Sequence, residues 1–366
     1  MSNNYHIKQF LFRFMNIAKK FKYFLLITLS ININAFEIRP NAETPQVPIN
    51  GDADDPAIWI NPLDLNNSIV FGTDKYNGIY AYNMNAEKLT FIKAGNINNI
   101  DLRPASYDKK NTTLFYGSNR SSNTLDLWIL NNKDLDTQIK TSVLNIPINP
   151  SYSGEANMIV YGVCAGYHPY FGDIAFITED MGSKVQLWSF KNKSLSLIHE
   201  FQNADAAQSE GCVYDDENQT LFISEEQDRG ILRAYKITKD LNMSDVTVID
   251  TRDGNIVGDP EGVTIYKTSS HEGYLILSSQ GDSKFNLYDR KYPYDYIDSF
   301  SIKNNGDIDE VTDTDGVDVT HLNLGPKYPL GLMVVQDGNN SEKNKVNKQN
   351  FKFVSFKQVL NSLNIK

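Results

Sequence analysis

Short apolar strands that end in polar tips recur along the chain. Six copies are present, namely IVFGTDK (69–75), LFYGSNR (114–120), IAFITED (174–180), LFISEEQ (221–227), LILSSQG (275–281) and LMVVQDG (332–338). A second strand that carries aromatic residues follows five of the tips directly, and FKFVSF (351–356) follows the sixth after a polar loop. Short strands with regular turns between them predict an all-β protein.

A second recurring unit precedes each tip. Acidic or polar residues lead into an apolar strand, and the six copies are DDPAIWI from Asp54, NIDLRP from Asn99, VYGVCAG from Val160, EGCVYD from Glu210, DPEGVTIY from Asp259 and TDGVDVT from Thr314. Six repeats with almost no helical periodicity predict a six-bladed β-propeller. The last blade lacks a fourth strand after Phe356, and we expect residues 36–49 to supply it and close the ring.

Both polar units are expected on one face of this propeller. Neighbouring strands of a blade are antiparallel, so the start of the first strand and the end of the second lie at the same end, near the central channel. The carboxylates expected there are Asp54, Asp55, Asp101, Asp180, Glu210, Glu225, Glu226, Asp259, Glu261, Asp309, Asp313, Asp315 and Asp337. Such a density of negative charge would raise the pKa values of these groups unless cations bind between them.

Oxygen ligands in this number favour calcium, which takes six to eight of them in adaptable geometry. Basic residues are rare on this face, but Lys75 and Arg120 end the first two tips. Their equivalent positions in neighbouring blades suggest a pair of anion-binding groups. The sequence therefore predicts a calcium site, with Asp101 among its ligands, and an anion-binding site beside it.

The overall charge is acidic but unevenly distributed. The chain has 45 Asp and Glu against 35 Lys and Arg, with a pI of about 5.1. An acidic surface repels a phosphate backbone, so nucleic acid is not expected as a partner. Residues 1–35 hold five basic residues and no acidic one, which leaves residues 36–366 with a formal charge of −15.

The N-terminal stretch, residues 1–35, has the pattern of a secretory signal peptide. A basic cluster precedes the apolar run 23–29, and Ala35 is a plausible cleavage point. The run is too short to span a bilayer. We expect Met15 rather than Met1 to be the true start, because Met15 lies next to the basic cluster. The alternative to a signal peptide is a buried N-terminal helix. We therefore expect export to the periplasm or the medium, with residues 36–366 forming a single propeller domain and no membrane attachment after cleavage.

Several familiar catalytic classes are excluded. The chain has no G-x-S-x-G elbow, no P-loop and no H-E-x-x-H motif. Its five His and two Cys are not clustered as a zinc or iron site requires. Cys164 and Cys212 both lie in first strands, so buried thiols are expected rather than a catalytic pair. A disulfide between them would need neighbouring blades in close register.

The repeated segments closely resemble the β-propeller phytases, in the family's order over about residues 45–356. The segments that carry the resemblance are DADDPAIW (52–59), NIDLR (99–103), SNR (118–120), VYG (160–162), EGCVYDDENQTLFISEE (210–226), DPEGVTIY (259–266), GYLILSSQG (273–281), YDR (288–290), DTDGVDV (313–319) and VVQDG (334–338). The resemblance implies a six-bladed propeller that removes phosphate from phytate (myo-inositol hexakisphosphate) and depends on several calcium ions.

The resemblance also implies roles for single residues. The positions that match its calcium ligands are Asp54, Asp55, Glu210, Glu226, Asp259, Glu261, Asp309, Asp315, Asp337 and Asn340. The positions that match its phosphate-contacting residues are Lys75, Arg120, Tyr161 and Gln280. Glu210, Asp259 and Glu261 are expected to serve catalysis as well as metal binding. The third tip departs from the family pattern, because Met181 follows Asp180 where a lysine is usual, and Lys184 is the nearest replacement.

The expected reaction is direct in-line attack on a phosphate by a calcium-bound water, with Lys75 and Arg120 stabilising the developing charge. The expected substrate is phytate as its calcium complex, and the protein is expected to act as a monomer. A calcium-dependent lactonase or esterase on a similar propeller is one alternative, which the two cationic residues disfavour. A non-enzymatic, calcium-stabilised binding propeller is another, and it predicts no phosphate release.

Overall fold

Six antiparallel sheets follow one another along the chain, and each forms one blade of a propeller. The computed structural model describes residues 35–363 except residues 142, 228 and 341–347. Strands β1 (Phe36–Ile38) and β2 (Ala42–Glu43) precede the first blade. The strands of blades one to three, from the channel outward, are β3 (Ala53–Trp59), β4 (Ile69–Asp74), β5 (Gly78–Tyr82) and β6 (Lys88–Ile92), then β7 (Ile97–Pro104), β8 (Thr112–Asn119), β9 (Thr124–Asn131) and β10 (Tyr152–Glu155), then β11 (Val160–His168), β12 (Gly172–Glu179), β13 (Lys184–Lys191) and β14 (Ser194–Gln202).

The remaining three blades repeat this order. Their strands are β15 (Ser209–Asp215), β16 (Thr220–Glu225), β17 (Ile231–Lys236) and β18 (Val246–Thr251), then β19 (Pro260–Lys267), β20 (Gly273–Ser279), β21 (Lys284–Asp289) and β22 (Tyr296–Ile302), then β23 (Val317–Val319), β24 (Leu332–Asn340) and β25 (Lys348–Ser355). First strands of neighbouring blades contact one another around the whole ring, so they line the central channel. The predicted six-bladed, all-β fold is confirmed.

The N-terminal strands close the ring. Strand β2 pairs antiparallel with β25, with Ala42 opposite Phe353, and supplies the fourth strand of blade six. Strand β1 pairs parallel with β22 and adds a fifth strand to blade five. The predicted closure by residues 36–49 is confirmed, and it removes a free sheet edge. The predicted signal peptide lies outside the described residues.

The cores lie between blades. The buried apolar side chains of the described residues form six clusters, and each cluster joins the facing sheets of two neighbouring blades. Between blades one and two, for example, the rings of Phe71 and Phe115 lie 4.9 Å apart, and Phe115 also contacts Trp128. This burial accounts for the aromatic residues on the second and third strands, since each faces an adjacent blade.

In the described part of the chain, helical structure is limited to short pieces. Helix α1 (Asn132–Lys140) follows β9, and the side chain of Asn131 caps it by accepting from the backbone N–H groups of Lys133 and Asp134. Helix α2 (Lys357–Ser362) follows β25, and two 3₁₀ turns cover Leu65–Asn67 and Gln280–Asp282. Within the described residues, no helix has both the length and the apolar character needed to cross a membrane.

The two cysteines form a disulfide, so the expectation of buried thiols was wrong. Cys164 on β11 and Cys212 on β15 belong to the first strands of blades three and four, and their Cα atoms lie 5.6 Å apart. That separation is within the range that a disulfide bridges. The reason is the channel itself, which brings neighbouring first strands side by side at matching heights.

This disulfide should stabilise the propeller. It closes a chain segment of 48 residues, and cross-links of that kind usually contribute about 2–4 kcal/mol to the free energy of unfolding. We expect the Cys164→Ala/Cys212→Ala double variant to unfold at a lower denaturant midpoint than the parent. A reducing agent should lower the midpoint of the parent and leave that of the double variant unchanged. Equal midpoints for the two proteins under oxidising conditions would contradict this role.

Candidate active site

A break in strand pairing recurs at the start of the first strands. In blades one to five the pairing between first and second strand skips two residues near its beginning. In blade six the equivalent pair, Asp315 and Gly316, comes directly before β23. A bulge of this kind bends the strand and changes the direction of one side chain. Here it presents one polar or aromatic residue per blade to the same end of the channel.

The first residues of these six bulges form what we call the inner ring. Its members are Asp54, Asn98, Tyr161, Glu210, Glu261 and Asp315. Side chains on the second strands hold the bulges in place: the hydroxyl of Thr178, for example, accepts from Gly162 N–H and donates to the carbonyl of Ser209 in the next blade, at 2.9 and 2.5 Å. A Cβ on Gly162 would lie 1.8 Å from the carbonyl oxygen of Glu210, so only glycine fits this second bulge position.

Three buried glutamates meet at one side of the ring. Each of Glu210, Glu226 and Glu261 offers an oxygen, and these oxygens lie within 4.8 Å of one another; we call them the glutamate triad. Glu226 Oε1 and Glu261 Oε2 are buried and have no hydrogen-bond partner among the described residues. Buried carboxylate oxygens without a donor are costly unless a cation binds them. The arrangement fits a hard divalent cation.

The carboxylates of this site have raised pKa values. Burial and repulsion from Glu210 raise the pKa of Glu226 to about 9. Burial raises the pKa of Asp315 to about 7, although Lys75 opposes the shift. The pKa values of Asp54 and Glu261 are also well above the ordinary range, mainly because of burial and neighbouring carboxylates. Without a cation, protons therefore remain on part of this cluster near neutral pH.

Two cationic side chains adjoin the glutamate triad. Lys75 Nζ lies 3.0 Å from Asp54 Oδ1 and 4.0 Å from Asp315 Oδ2. Burial disfavours the charge on Lys75, but the carboxylates outweigh this effect and raise its pKa. The guanidinium of Arg120 is one-third exposed and lies over the ring of Tyr161, 5.7 Å from its centre. It donates to Asn98 Oδ1 at 3.1 Å and to Asp180 Oδ2 at 2.8 Å.

Three further predicted residues lie at the edge of the site or behind it. Gln280 Nε2 donates to Asp315 Oδ1 at 2.6 Å, which places this amide beside the inner ring. Asp259 is close enough to Glu226 to raise its pKa, and it accepts from Arg252. Asp55, the second bulge residue of blade one, is buried behind Asp54 and accepts from Ile100 N–H at 2.9 Å.

Asp101 lies apart from this group. It lines a cavity of about 370 Å³ that reaches from Asp55 into the other half of the channel. Its carboxylate accepts from Arg103 and from Ala165 N–H, both at 2.8 Å. The structure therefore does not bring Asp101 together with the glutamate triad. In the repeat it occupies the position three residues after the bulge residue Asn98, and its side chain meets the next blade instead.

Three other predicted ligands form a separate group at the ring closure. Lys352 Nζ is fully buried and contacts Glu43 Oε2 at 2.8 Å, Asn340 Oδ1 at 2.9 Å, Asp337 Oδ2 at 3.1 Å and also Asp309 Oδ1. We call Glu43, Asp309, Asp337, Asn340 and Lys352 the closure cluster. Three carboxylates surround one ammonium group, which leaves an excess of negative charge. Burial raises the pKa of Asp337 to about 6 despite Lys352.

Comparisons with known proteins agree with this geometry. A sequence model of the family described as Phytase matches residues 25–366. The chain is 30% identical over 342 residues to the 3-phytase of Bacillus subtilis (strain 168), covering 90% of this chain and 86% of that protein.

The chain belongs to the phytase family. The predicted family, the enzyme class and the hydrolysis of phytate are thereby confirmed. Among solved structures, the WD40 repeats of RRP9 superpose with a TM-score of 0.52 at 11% identity, covering 87% of this chain and 99% of that one. At that identity the similarity concerns the propeller fold alone.

The third polar tip has Met181 at the position where the phytase family usually has a lysine. Met181 is largely exposed, and its sulfur accepts from Gln227 Nε2 at 3.3 Å. The side chain of Lys184 makes no ion pair in the described part of the chain, although its backbone N–H donates to Glu179. The acidic residue of this tip, Asp180, pairs instead with Arg120 of the second tip.

Sequence reasoning missed three residues of this phytase site. Asn98 bridges Arg120 and Glu210, Gln208 donates to Glu226 Oε2 at 2.9 Å, and Arg252 pairs with Asp259. Asn98 could have been found, because it occupies the same repeat position as Asp54 and Glu210. Gln208 and Arg252 lie in loops outside the two repeated units, so the sequence offered no comparable signal for them.

Proposed function

We propose that this phytase family member releases phosphate from phytate at the inner ring in a calcium-dependent reaction. The observation that carries the proposal is the buried glutamate triad next to Lys75 and Arg120, with two carboxylate oxygens to which no described residue donates a hydrogen bond. Phytate is a dense polyanion, which a protein of this acidity would repel. A site that combines cation ligands with anion-binding side chains resolves that conflict.

The residues proposed to hold calcium are the glutamate triad with Asp54, Asp259 and Asp315 at its edges. Bound calcium would neutralise substrate phosphate and lower the pKa of a water molecule, which supplies the nucleophile for in-line attack. Asp55 lies behind these groups and supports them, because it fixes the backbone of blade two through Ile100.

The chain's own cations are proposed to bind the phosphate that is transferred. The planar guanidinium of Arg120 lies at the edge of the inner ring, where two of its N–H groups can bind one phosphate as a fork. The ring of Tyr161 beneath it supports this position. Lys75 is held by Asp54 and Asp315 close to the carboxylates, so its charge lies where negative charge develops in the transition state. Gln280 orients Asp315 through a hydrogen bond.

Arg120→Lys tests the phosphate-binding role. The substitution keeps the charge but removes the fork, and losing a charge-assisted hydrogen bond should reduce kcat/KM for phytate by about tenfold or more, mainly through KM. Arg103→Lys is a matched control, because Arg103 pairs with Asp101 in the other half of the channel. We expect the control to retain its activity. Unchanged kcat/KM in Arg120→Lys would show that the fork does not bind substrate.

Calcium binding should release protons near neutral pH. Glu226 and Asp315 have pKa values of about 9 and about 7 without a cation, and their carboxylates must lose those protons to bind one. Raising the pH from 6 to 9 should therefore lower the calcium concentration that gives half-saturation, as measured by titration calorimetry. Adding calcium to metal-free protein in weak buffer should acidify the solution. An affinity that is flat over this pH range would contradict the assignment.

The closure cluster is proposed as a second class of calcium site. Its excess of carboxylates over ammonium, and the buried position of Asp337, fit one further cation beside Lys352. This cluster joins the N-terminal strand β2, which contains Glu43, to the last two strands, so calcium there would stabilise the fold. The inner ring would serve catalysis and the closure cluster stability.

We further propose that the protein is exported and acts as a monomer. The disulfide Cys164–Cys212 supports the location of this protein in an oxidising compartment, because such bonds persist outside the reducing cytosol. The basic and apolar pattern of residues 1–35 supports passage across a membrane. Residues 36–366 carry a formal charge of −15, which would repel the phosphate backbone of a nucleic acid. This charge supports a small molecule as the partner.

A further inference from the structure

Blade two breaks the pattern of the inner ring. Four members of the ring are carboxylates and one is a tyrosine, but blade two contributes the neutral amide of Asn98. This side chain is fully buried. It lies at the point where the phosphate-binding and metal-binding halves of the site meet, because Arg120 belongs to the tip of the same blade.

The contacts of Asn98 fix the orientation of its amide. Its oxygen accepts from Arg120 at 3.1 Å, while its nitrogen lies 2.5 Å from Glu210 Oε1 and 3.3 Å from Asp54 Oδ2. The nitrogen also lies 2.7 Å from Asn99 Oδ1, so its two hydrogens are shared among three acceptors. The reversed amide would place an oxygen against two carboxylates and a nitrogen against a guanidinium. Only the observed orientation forms hydrogen bonds both with the guanidinium and with the carboxylates.

A neutral residue at this position has a chemical advantage over the acids found in the rest of the ring. An aspartate in place of Asn98 would form an ion pair with Arg120 and compete with phosphate for its charge. The amide holds the guanidinium by a hydrogen bond and leaves its charge in place. Asp180 already pairs with another nitrogen of the guanidinium, and the other N–H groups of Arg120 have no partner in the described part of the chain.

We infer that Asn98 is a positioning residue, which sets the direction of the Arg120 guanidinium relative to the carboxylate of Glu210. The inference rests on the proposed function, since it assumes that Arg120 binds substrate phosphate and that Glu210 binds metal. Asn98 itself is buried beneath both groups and acts through them. It links the two halves of the site, so that the bound phosphate lies at a fixed position relative to the metal-binding oxygens.

A kinetic double-mutant cycle tests this inference. The variants are Asn98→Ala, Arg120→Lys and their combination, with kcat and KM for phytate measured at saturating calcium. We expect Asn98→Ala alone to lower kcat/KM by about tenfold, mainly through KM, as loss of a hydrogen bond to a charged group predicts. In the Arg120→Lys background the same change should cost less than about twofold, because residues that act together are not additive. Asn98→Asp, which keeps the shape, should raise KM as well.

Matched controls separate positioning from a general effect on folding. Asn61 is equally buried and also donates to a carboxylate, Asp136, at 2.9 Å, but it lies outside the site. Asn61→Ala and Asn61→Asp should lower the melting temperature and leave KM unchanged. Additive effects in the cycle, or an unchanged KM in both Asn98 variants, would overturn the inference. If kcat/KM for phytate were unchanged in Arg120→Lys, the proposed function would be contradicted instead. Failure of the inference and failure of the proposed function are therefore distinguishable.

Discussion

Glu210→Gln is expected to reduce phytate hydrolysis by at least about a hundredfold. Glu210 is the member of the glutamate triad that also contacts Asn98, so its charge belongs to the proposed metal site and to the link with Arg120. Glutamine keeps the shape but removes the charge, which weakens calcium binding and the field that stabilises the transition state. Steady-state phosphate release at several calcium concentrations measures the effect.

The same variant should retain most of its stability. Burial, together with repulsion between neighbouring carboxylates, raises the pKa values of Glu226 and Glu261, and replacing Glu210 removes part of that repulsion. The matched control is Glu217→Gln in the same blade, where Glu217 pairs with Lys267 and Arg290 away from the glutamate triad. We expect the control to hydrolyse phytate at the parent rate. Comparable activity in Glu210→Gln and Glu217→Gln would remove the glutamate triad from the reaction.

Lys352→Met is expected to have the largest effect on stability. Its ammonium group is fully buried and contacts three carboxylates and one amide oxygen, so removal leaves buried negative charges without a partner. Such losses commonly lower the free energy of unfolding by about 3–5 kcal/mol. Urea denaturation in the presence of a chelator measures the effect. Because Glu43 lies in β2, the N-terminal strand should be the first to detach.

Calcium should restore part of this loss. A divalent cation bound by the closure cluster replaces the missing positive charge, and a ligand that binds only the folded state raises its stability. Lys267→Met is the control, because the Lys267–Glu217 pair is partly exposed and contributes at most about 1 kcal/mol. If the Lys352→Met and Lys267→Met variants lost equal stability, the closure cluster would not hold the ring together.

The repeat explains why so much of the fold could be predicted. Each polar tip follows an apolar strand, and polar or acidic residues lead into the first strands, so the blade count and the convergence on one face followed from the sequence alone. The same repeat positions contain the inner ring, and all of its members except Asn98 were recognised from the sequence. Asn98 was missed because a neutral amide next to an isoleucine resembles an ordinary turn residue.

Other features depend on distances between blades, which the sequence does not specify. The disulfide required Cys164 and Cys212 at equal heights on neighbouring first strands, and only the assembled channel shows that they are. The closure cluster required Lys352, which stands in an ordinary alternating strand, to point inward at Glu43 from a strand more than 300 residues away. Asp101 was grouped with the metal ligands because it is an acidic residue of a recurring polar unit, yet the strand turns it into the opposite half of the channel.

Phosphate release from phytate by the purified protein is the most direct test of the central claim. The assay compares protein with excess calcium, protein with excess chelator, and chelated protein to which calcium is returned. The account predicts release with calcium, none above background in chelator, and recovery when calcium is added back. Undiminished release in excess chelator would contradict calcium-dependent hydrolysis at the inner ring.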